Sequence, residues 1–180
     1  MKVLALDPGF AKMGYAEAYI DENNSITLGL AGTIENVRED ETFNEYLNVG
    51  IKNIVDRFSY LLSLTSPDII VAELVPVGRL GSRSELVVAG ITACKVVAYQ
   101  AELPWTDVAA NSYKKTITGN GNATKGEIKR KMYEIFPHLK ELDKQERATQ
   151  KEAGDKVTGF PADLYDAVAL GVWGLENATD

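Results

Sequence analysis

The chain has 180 residues, 45% of them hydrophobic, and a net charge of −7. That length suits one domain burying roughly 70% of its unfolded surface, and no apolar run reaches the ~18 residues that a membrane-spanning helix needs. A single cysteine, Cys94, and a single histidine, His138, exclude an internal disulfide, a thiolate zinc site and a multi-histidine centre.

Any catalysis would therefore fall to carboxylates, lysines and metals. The N-terminal apolar run is cut by Asp7 and is too short for a secretion signal, so a cytoplasmic location without membrane contact is expected. The net charge has the wrong sign for a generic nucleic-acid binder, but it is unevenly spread. Residues 21–45 hold seven acids against Arg38 alone, whereas residues 111–131 hold six bases against Glu127 alone. Screening over about 8–10 Å lets such a local basic surface meet phosphate on an acidic protein.

In chain order, `KVLALD` at 2–7 reads as a central strand ending in an acid, followed by a turn. `GYAEAYID` and `SITLGLAGTI` read as an antiparallel hairpin closed at Asn23-Asn24. Residues 41–64 space their apolar groups as a long amphipathic helix. `SPDIIVAE` is a second buried strand ending in an acid, Glu73, and `VPVGRLGSRS` is a loop by its Pro and Gly content. Residues 85–103 form a helix apolar nearly all round, as one buried on both sides would be. `PWTDVAA` is a fifth strand, and `NSYKKTITGNGNA` reads as a loop, with at most an opening helical turn. Thr124 with Glu127 is a capping box that opens the next helix. The polar stretch at about 138–160 reads as an extended connection, either a solvated helix or a mobile segment. A helix from `FPADLYDAVALGVWGL` closes the chain. The order predicts a single α/β domain with a mixed five-stranded sheet flanked by helices. Trp105 and Trp173 are assigned to the core, Cys94 to packing and His138 to the surface.

Asp7 and Glu73 both end buried strands. A half-buried carboxylate costs several kcal/mol unless it is paired or binds a metal, and ligands gather at the carboxyl ends of parallel strands. Asp163 and Asp166, three residues apart, share one face of the closing helix. If the strands are adjacent and parallel, all four acids converge. Oxygen-only ligation suits Mg²⁺, with Mn²⁺ as a substitute. Two ions per site suit in-line displacement at a phosphodiester, one activating water and the other stabilising the leaving oxygen. The plainer alternatives are a cap or dipole partner for Asp163 and a turn residue for Asp7.

The stretches `LALDPGFAKMGYA`, `PDIIVAE`, `VAGITACKVVAYQAELP`, `SYKKTITGNGNATKGEIK` and `DLYDAVAL` resemble, in order and spacing, RuvC-type Holliday junction resolvases of the RNase H-like (retroviral integrase-like) superfamily. The resemblance implies an RNase H-like fold and a homodimeric endonuclease that resolves four-way DNA junctions by paired symmetric nicks. It places the catalytic, metal-binding acids on Asp7, Glu73, Asp163 and Asp166 and the loop lysines on Lys114 and Lys125. Ammonium groups beside a scissile phosphate offset the charge that develops there. Lys115 and Lys129 are further candidates for DNA-backbone contacts, and Gly119 and Gly121 would let the backbone approach phosphate. The alternative for each is a solvated surface residue or a plain turn. The family's base-stacking aromatic position falls on Pro76, with Arg79 and Arg83 as candidate DNA contacts in its place. The resemblance also puts the 85–103 helix at the subunit contact; the alternative is a helix sandwiched within one monomer. Competing functions are a nucleotide-binding lobe of the actin and sugar-kinase kind, a non-catalytic binder of branched nucleic acid and an RNA-processing relative.

Overall fold

Alternation along the first strand explains how the molecule is layered. In β1 (Lys2–Asp7), Val3 and Ala5 point to one face of the sheet, and Leu4 and Leu6 to the other. Both faces are covered, so all four side chains are fully buried. The structure, a computed structural model, describes residues 1–39, 42–75 and 82–177, with backbone alone at 82–84. Pro76 and Arg79 lie outside the described residues, as does the side chain of Arg83.

β2 (Lys12–Ile20) and β3 (Ile26–Glu35) form the expected antiparallel hairpin, with Asn24 at positive φ in its turn. β1 pairs antiparallel with β2 and parallel with β4 (Ile69–Glu73), and β5 (Trp105–Val108) completes the sheet in the order β3-β2-β1-β4-β5. α1 (Phe43–Thr65) and α2 (Ser82–Gln100) cover the face of Leu4 and Leu6. α3 (Ala110–Thr118), α4 (Lys125–Ile135), α5 (Pro137–Ala153) and α6 (Ala162–Asn177) gather on the face of Val3 and Ala5. The mixed five-stranded α/β architecture is the one expected.

One local expectation is corrected, and two alternatives are narrowed. The lysine-bearing segment is a helix, α3, because Tyr113 and Ile117, four residues apart, bury one face and Gly119 at φ 79 ends it as a left-handed cap. The polar connection is largely helical, with Pro137 in its first turn, Leu139 and Asp143 buried and Gly154 as its cap. α2 is not sandwiched within the chain. Ile91, Cys94 and Ala98 are buried, whereas Val96 is 51% exposed and Tyr99 85%. Cys94 is a buried free thiol that burial pushes up to about 12, in keeping with packing. Trp105 and Trp173 pack half-buried at the core margin, and His138 is exposed. The Thr124–Glu127 capping box is formed, and a second, Thr42 with Glu45, opens α1. Among the described residues no helix is long and apolar enough to cross a membrane.

Candidate active site

The parity that buries Val3 and Ala5 also turns Asp7 toward α6. In β4 the same alternation puts Ile69 and Val71 on that face, and Glu73 with them. The parallel register pairs Leu6 with Ala72, which places Asp7 and Glu73 side by side at the carboxyl end of the two strands. α6 crosses this end with its first turn. Asp7 is paired with Gly14 on β2, and a Cβ on Gly14 would collide with the backbone carbonyl of Asp163. The missing side chain at Gly14 is what lets α6 enter so close to the sheet edge.

Asp7, Asp163 and Asp166 each offer a carboxylate oxygen, and these oxygens lie within 4.8 Å of one another. Asp166 is only 3% exposed although its side chain is a carboxylic acid. Glu73 lies beside this trio and outside that limit. It is joined to it through Tyr113, whose phenolic O–H is 3.0 Å from Glu73 Oε2 and 3.4 Å from Asp166 Oδ1. Lys125, at the start of α4, donates to Asp163 Oδ1 at 2.7 Å and lies 3.4 Å from Asp166 Oδ2. Lys114 on α3 is half-buried, and its charge favours the ionised forms of both Glu73 and Asp166.

The electrostatics are those of an over-charged acid cluster. Burial pushes Asp7 up to about 8, helped by Asp166, Glu73 and Asp163, while Lys125 opposes it. Burial likewise raises Asp166 against the pull of Lys125, and raises Glu73 against the hydrogen bond from Tyr113. Burial disfavours charge on Lys125, yet the hydrogen bond to Asp163 and the fields of Asp166, Asp163 and Asp7 outweigh it and raise its pKa. Four carboxylates face two ammonium groups, which leaves an ionised site short of positive charge. A hard divalent cation fits such an oxygen-only, electron-rich donor set.

The other candidate residues are placed differently. Lys115 is exposed on α3. Gly119 serves as the cap of α3, and Gly121 lies against the Asn111 carbonyl in the turn before α4. Lys129 turns inward: its ammonium is 3.0 Å from Asp143 and sits over the Tyr165 ring at 4.6 Å. Tyr113 is not among the residues singled out from the sequence, because the lysines and glycines of its segment suggest a loop. The spacing of Tyr113 with Ile117 was the available signal.

The family model for crossover junction endodeoxyribonuclease RuvC matches residues 3–155. The chain belongs to this family. The matched span includes Asp7, Glu73, Lys114 and Lys125 and stops short of α6. Among RuvC relatives, the crossover junction endodeoxyribonuclease of Wolbachia pipientis from Culex pipiens is 30% identical over 131 residues, covering 71% of this chain and 74% of that protein. The Thermus thermophilus RuvC structure superposes with a TM-score of 0.72 at 19% identity, over 99% of this chain and 98% of that one. T. thermophilus RuvC in complex with Holliday junction substrate superposes with a TM-score of 0.70 at 20% identity, over 96% and 91%. Both structural matches span α6, so the RuvC fold extends across the whole acid cluster.

Proposed function

We propose that this RuvC-family chain resolves four-way DNA junctions by paired nicks, as a homodimer, through metal-assisted hydrolysis at Asp7, Glu73, Asp163 and Asp166. The observation that carries the proposal is the convergence of Asp7, Asp163 and Asp166 within 4.8 Å at the end of a parallel strand pair. Asp7, Asp163 and Asp166 would hold the cation, with Glu73 completing the set beside them. Mg²⁺ is the ion of choice for carboxylate oxygens and Mn²⁺ its substitute. Bound there, divalent ions supply an activated water and stabilise charge on the leaving oxygen.

The protein's own groups do the rest. Lys125 and Lys114 bring positive charge to the edge of the cluster, where a scissile phosphate would gain negative charge on reaction. Tyr113 holds one oxygen of Glu73, limiting its rotation. Lys115, Gly119, Gly121 and the Arg79–Arg83 segment remain proposed contacts to the DNA backbone, which carry affinity more than sequence preference. Lys129, engaged by Asp143, is reassigned to holding α4 in place.

The dimer proposal rests on α2. Its exposed Val96 and Tyr99, beside half-buried Val87, Val88 and Val97, leave an apolar stripe uncovered within one chain. A two-fold dimer would present two acid clusters to a two-fold-symmetric junction.

The test is cleavage of a labelled mobile four-way junction in Mg²⁺, beside linear duplex and structured RNA. Paired nicks confined to the junction, lost in Asp7→Asn and Asp166→Asn while binding persists, are expected. Junction binding without cleavage in any divalent metal would make the chain a binder only. Cleavage of structured RNA in preference to the junction would favour an RNA-processing role.

A further inference from the structure

The polar helix α5 carries one buried acid. Asp143 is 4% exposed in a helix otherwise rich in solvated charge. Its Oδ1 accepts the backbone N–H of Phe160 at 2.7 Å. Its Oδ2 accepts from Lys129 Nζ at 3.0 Å, Tyr133 Oη at 2.9 Å and Arg147 Nε at 3.0 Å. A carboxylate offers about four acceptor sites, so Asp143 is fully used. Its donors come from three places: Lys129 and Tyr133 on α4, Arg147 on α5 and Phe160 in the turn that enters α6.

These attachments lead to the acid cluster by short paths. Lys129 lies one helical turn after Lys125, and Phe160 three residues before Asp163. The Lys125–Asp163 pair therefore spans the same gap, between α4 and the entry to α6, that Asp143 bridges. Two further details tighten the bridge. Gln150 Oε1 accepts the backbone N–H groups of Thr158 and Gly159 at 2.8 and 3.0 Å. Gly159 sits at φ 71, and a Cβ there would collide with Asp143 Oδ1.

We propose that Asp143 is a positioning residue that sets the separation of Lys125 on α4 from Asp163 on α6. This rests on the reading of those two groups as parts of a nuclease site. The body of α6 is held by its apolar contacts with the sheet, from Leu164 to Leu175. Asp143 addresses only the entry turn, so its loss should loosen the first turn and leave the fold standing. Misplacing a reacting group by about 1 Å can cost on the order of 100-fold in rate.

The test is Asp143→Asn, which keeps the shape and removes the charge that draws two cations and two neutral donors. A 10- to 100-fold fall in kcat on a four-way junction is expected, on the order of the positioning losses above, with KM within about twofold. Hydrogen exchange at the Phe160 amide should accelerate at least about tenfold while Val168 and Ala169 keep their protection. Mn²⁺, titrated without DNA, should bind several-fold more weakly. Gly159→Ala disturbs the same bridge from its other end and should give the same pattern, with no added loss in the double variant. It also carries the test if Asp143→Asn does not fold. Wild-type kcat in both variants would overturn the proposal. So would an even loss of kcat, KM and protection along all of α6, which marks a general fold contact. If the wild type does not cut junctions, the nuclease reading fails, and exchange and Mn²⁺ binding still decide the positioning role because neither uses DNA.

Discussion

Lys125 reaches across from the first turn of α4 to Asp163 in the first turn of α6, Nζ to Oδ1 at 2.7 Å. The same ammonium lies 3.4 Å from buried Asp166. One lysine thus offsets part of the charge on two acids that a three-residue spacing puts on one face.

Lys125→Met should therefore do two separable things. Junction cleavage should fall about 10²- to 10³-fold, the range for removing one group that stabilises transition-state charge. The metal-free protein should also lose stability at neutral pH, because two carboxylates lose their shared counter-charge, and a divalent cation should restore part of it. Single-turnover cleavage and thermal melts with and without Mg²⁺ check both effects.

Tyr113→Phe removes one oxygen atom and keeps the buried ring. Glu73 and Asp166 then lose their shared donor. Stability should fall by about 1–3 kcal/mol, the cost of an unmet buried polar partner. The Mg²⁺ concentration for half-maximal cleavage should rise severalfold as Glu73 gains freedom. Wild-type metal dependence in Tyr113→Phe would dismiss a role for the phenol in ordering the acids.

The pH dependence of stability has two opposing parts. Asp7 is raised by burial and neighbouring acids to about 8 in the folded, metal-free chain. Its contribution is present below the unfolded value near 4 and is lost as pH climbs toward 8. Asp143 behaves in reverse. Burial alone would raise it, but the hydrogen bonds from Phe160, Arg147, Lys129 and Tyr133 win and lower it. Its contribution is present above the unfolded value near 4 and is lost as acid protonates the folded group. Metal-free melting temperature should thus decline from about pH 5 to pH 8, and Asp7→Asn should flatten that decline. Cation binding should strengthen over the same interval, since it requires ionised carboxylates.

Gly14→Ala tests how the sheet admits α6. The new methyl group would meet the Asp163 carbonyl, and both partners are backbone-fixed. A loss of about 1–3 kcal/mol is expected from overpacking, together with reduced cleavage as the first turn of α6 lifts away. Full activity in this variant would mean that Asp163 tolerates displacement.

The acids were legible in the sequence because each carries a local signature. Asp7 and Glu73 end runs of Val, Leu, Ile and Ala, and strand parity then decides which face they share. Asp163 and Asp166 announce themselves by polarity inside an apolar helix. Tyr113 was hidden because glycine and lysine around it suggested a loop, although its pairing with Ile117 marks a helical face. Asp143 had no such signature. It is one acid among many in a polar stretch, and its burial comes from groups on α4 and before α6 that meet only in the folded chain. α2 shows a related limit: an apolar composition does not say whether the second face meets the same chain or another.

The most direct measurement is anomalous diffraction from crystals soaked in Mn²⁺, for the wild type and for Asp7→Asn, with junction cleavage assayed on the same preparations. The account predicts a Mn²⁺ peak between Asp7, Asp163 and Asp166 in the wild type, absent in the variant, and nicking lost with it. Mn²⁺ bound elsewhere while these oxygens stay bare, or paired nicks that survive Asp7→Asn, would contradict it.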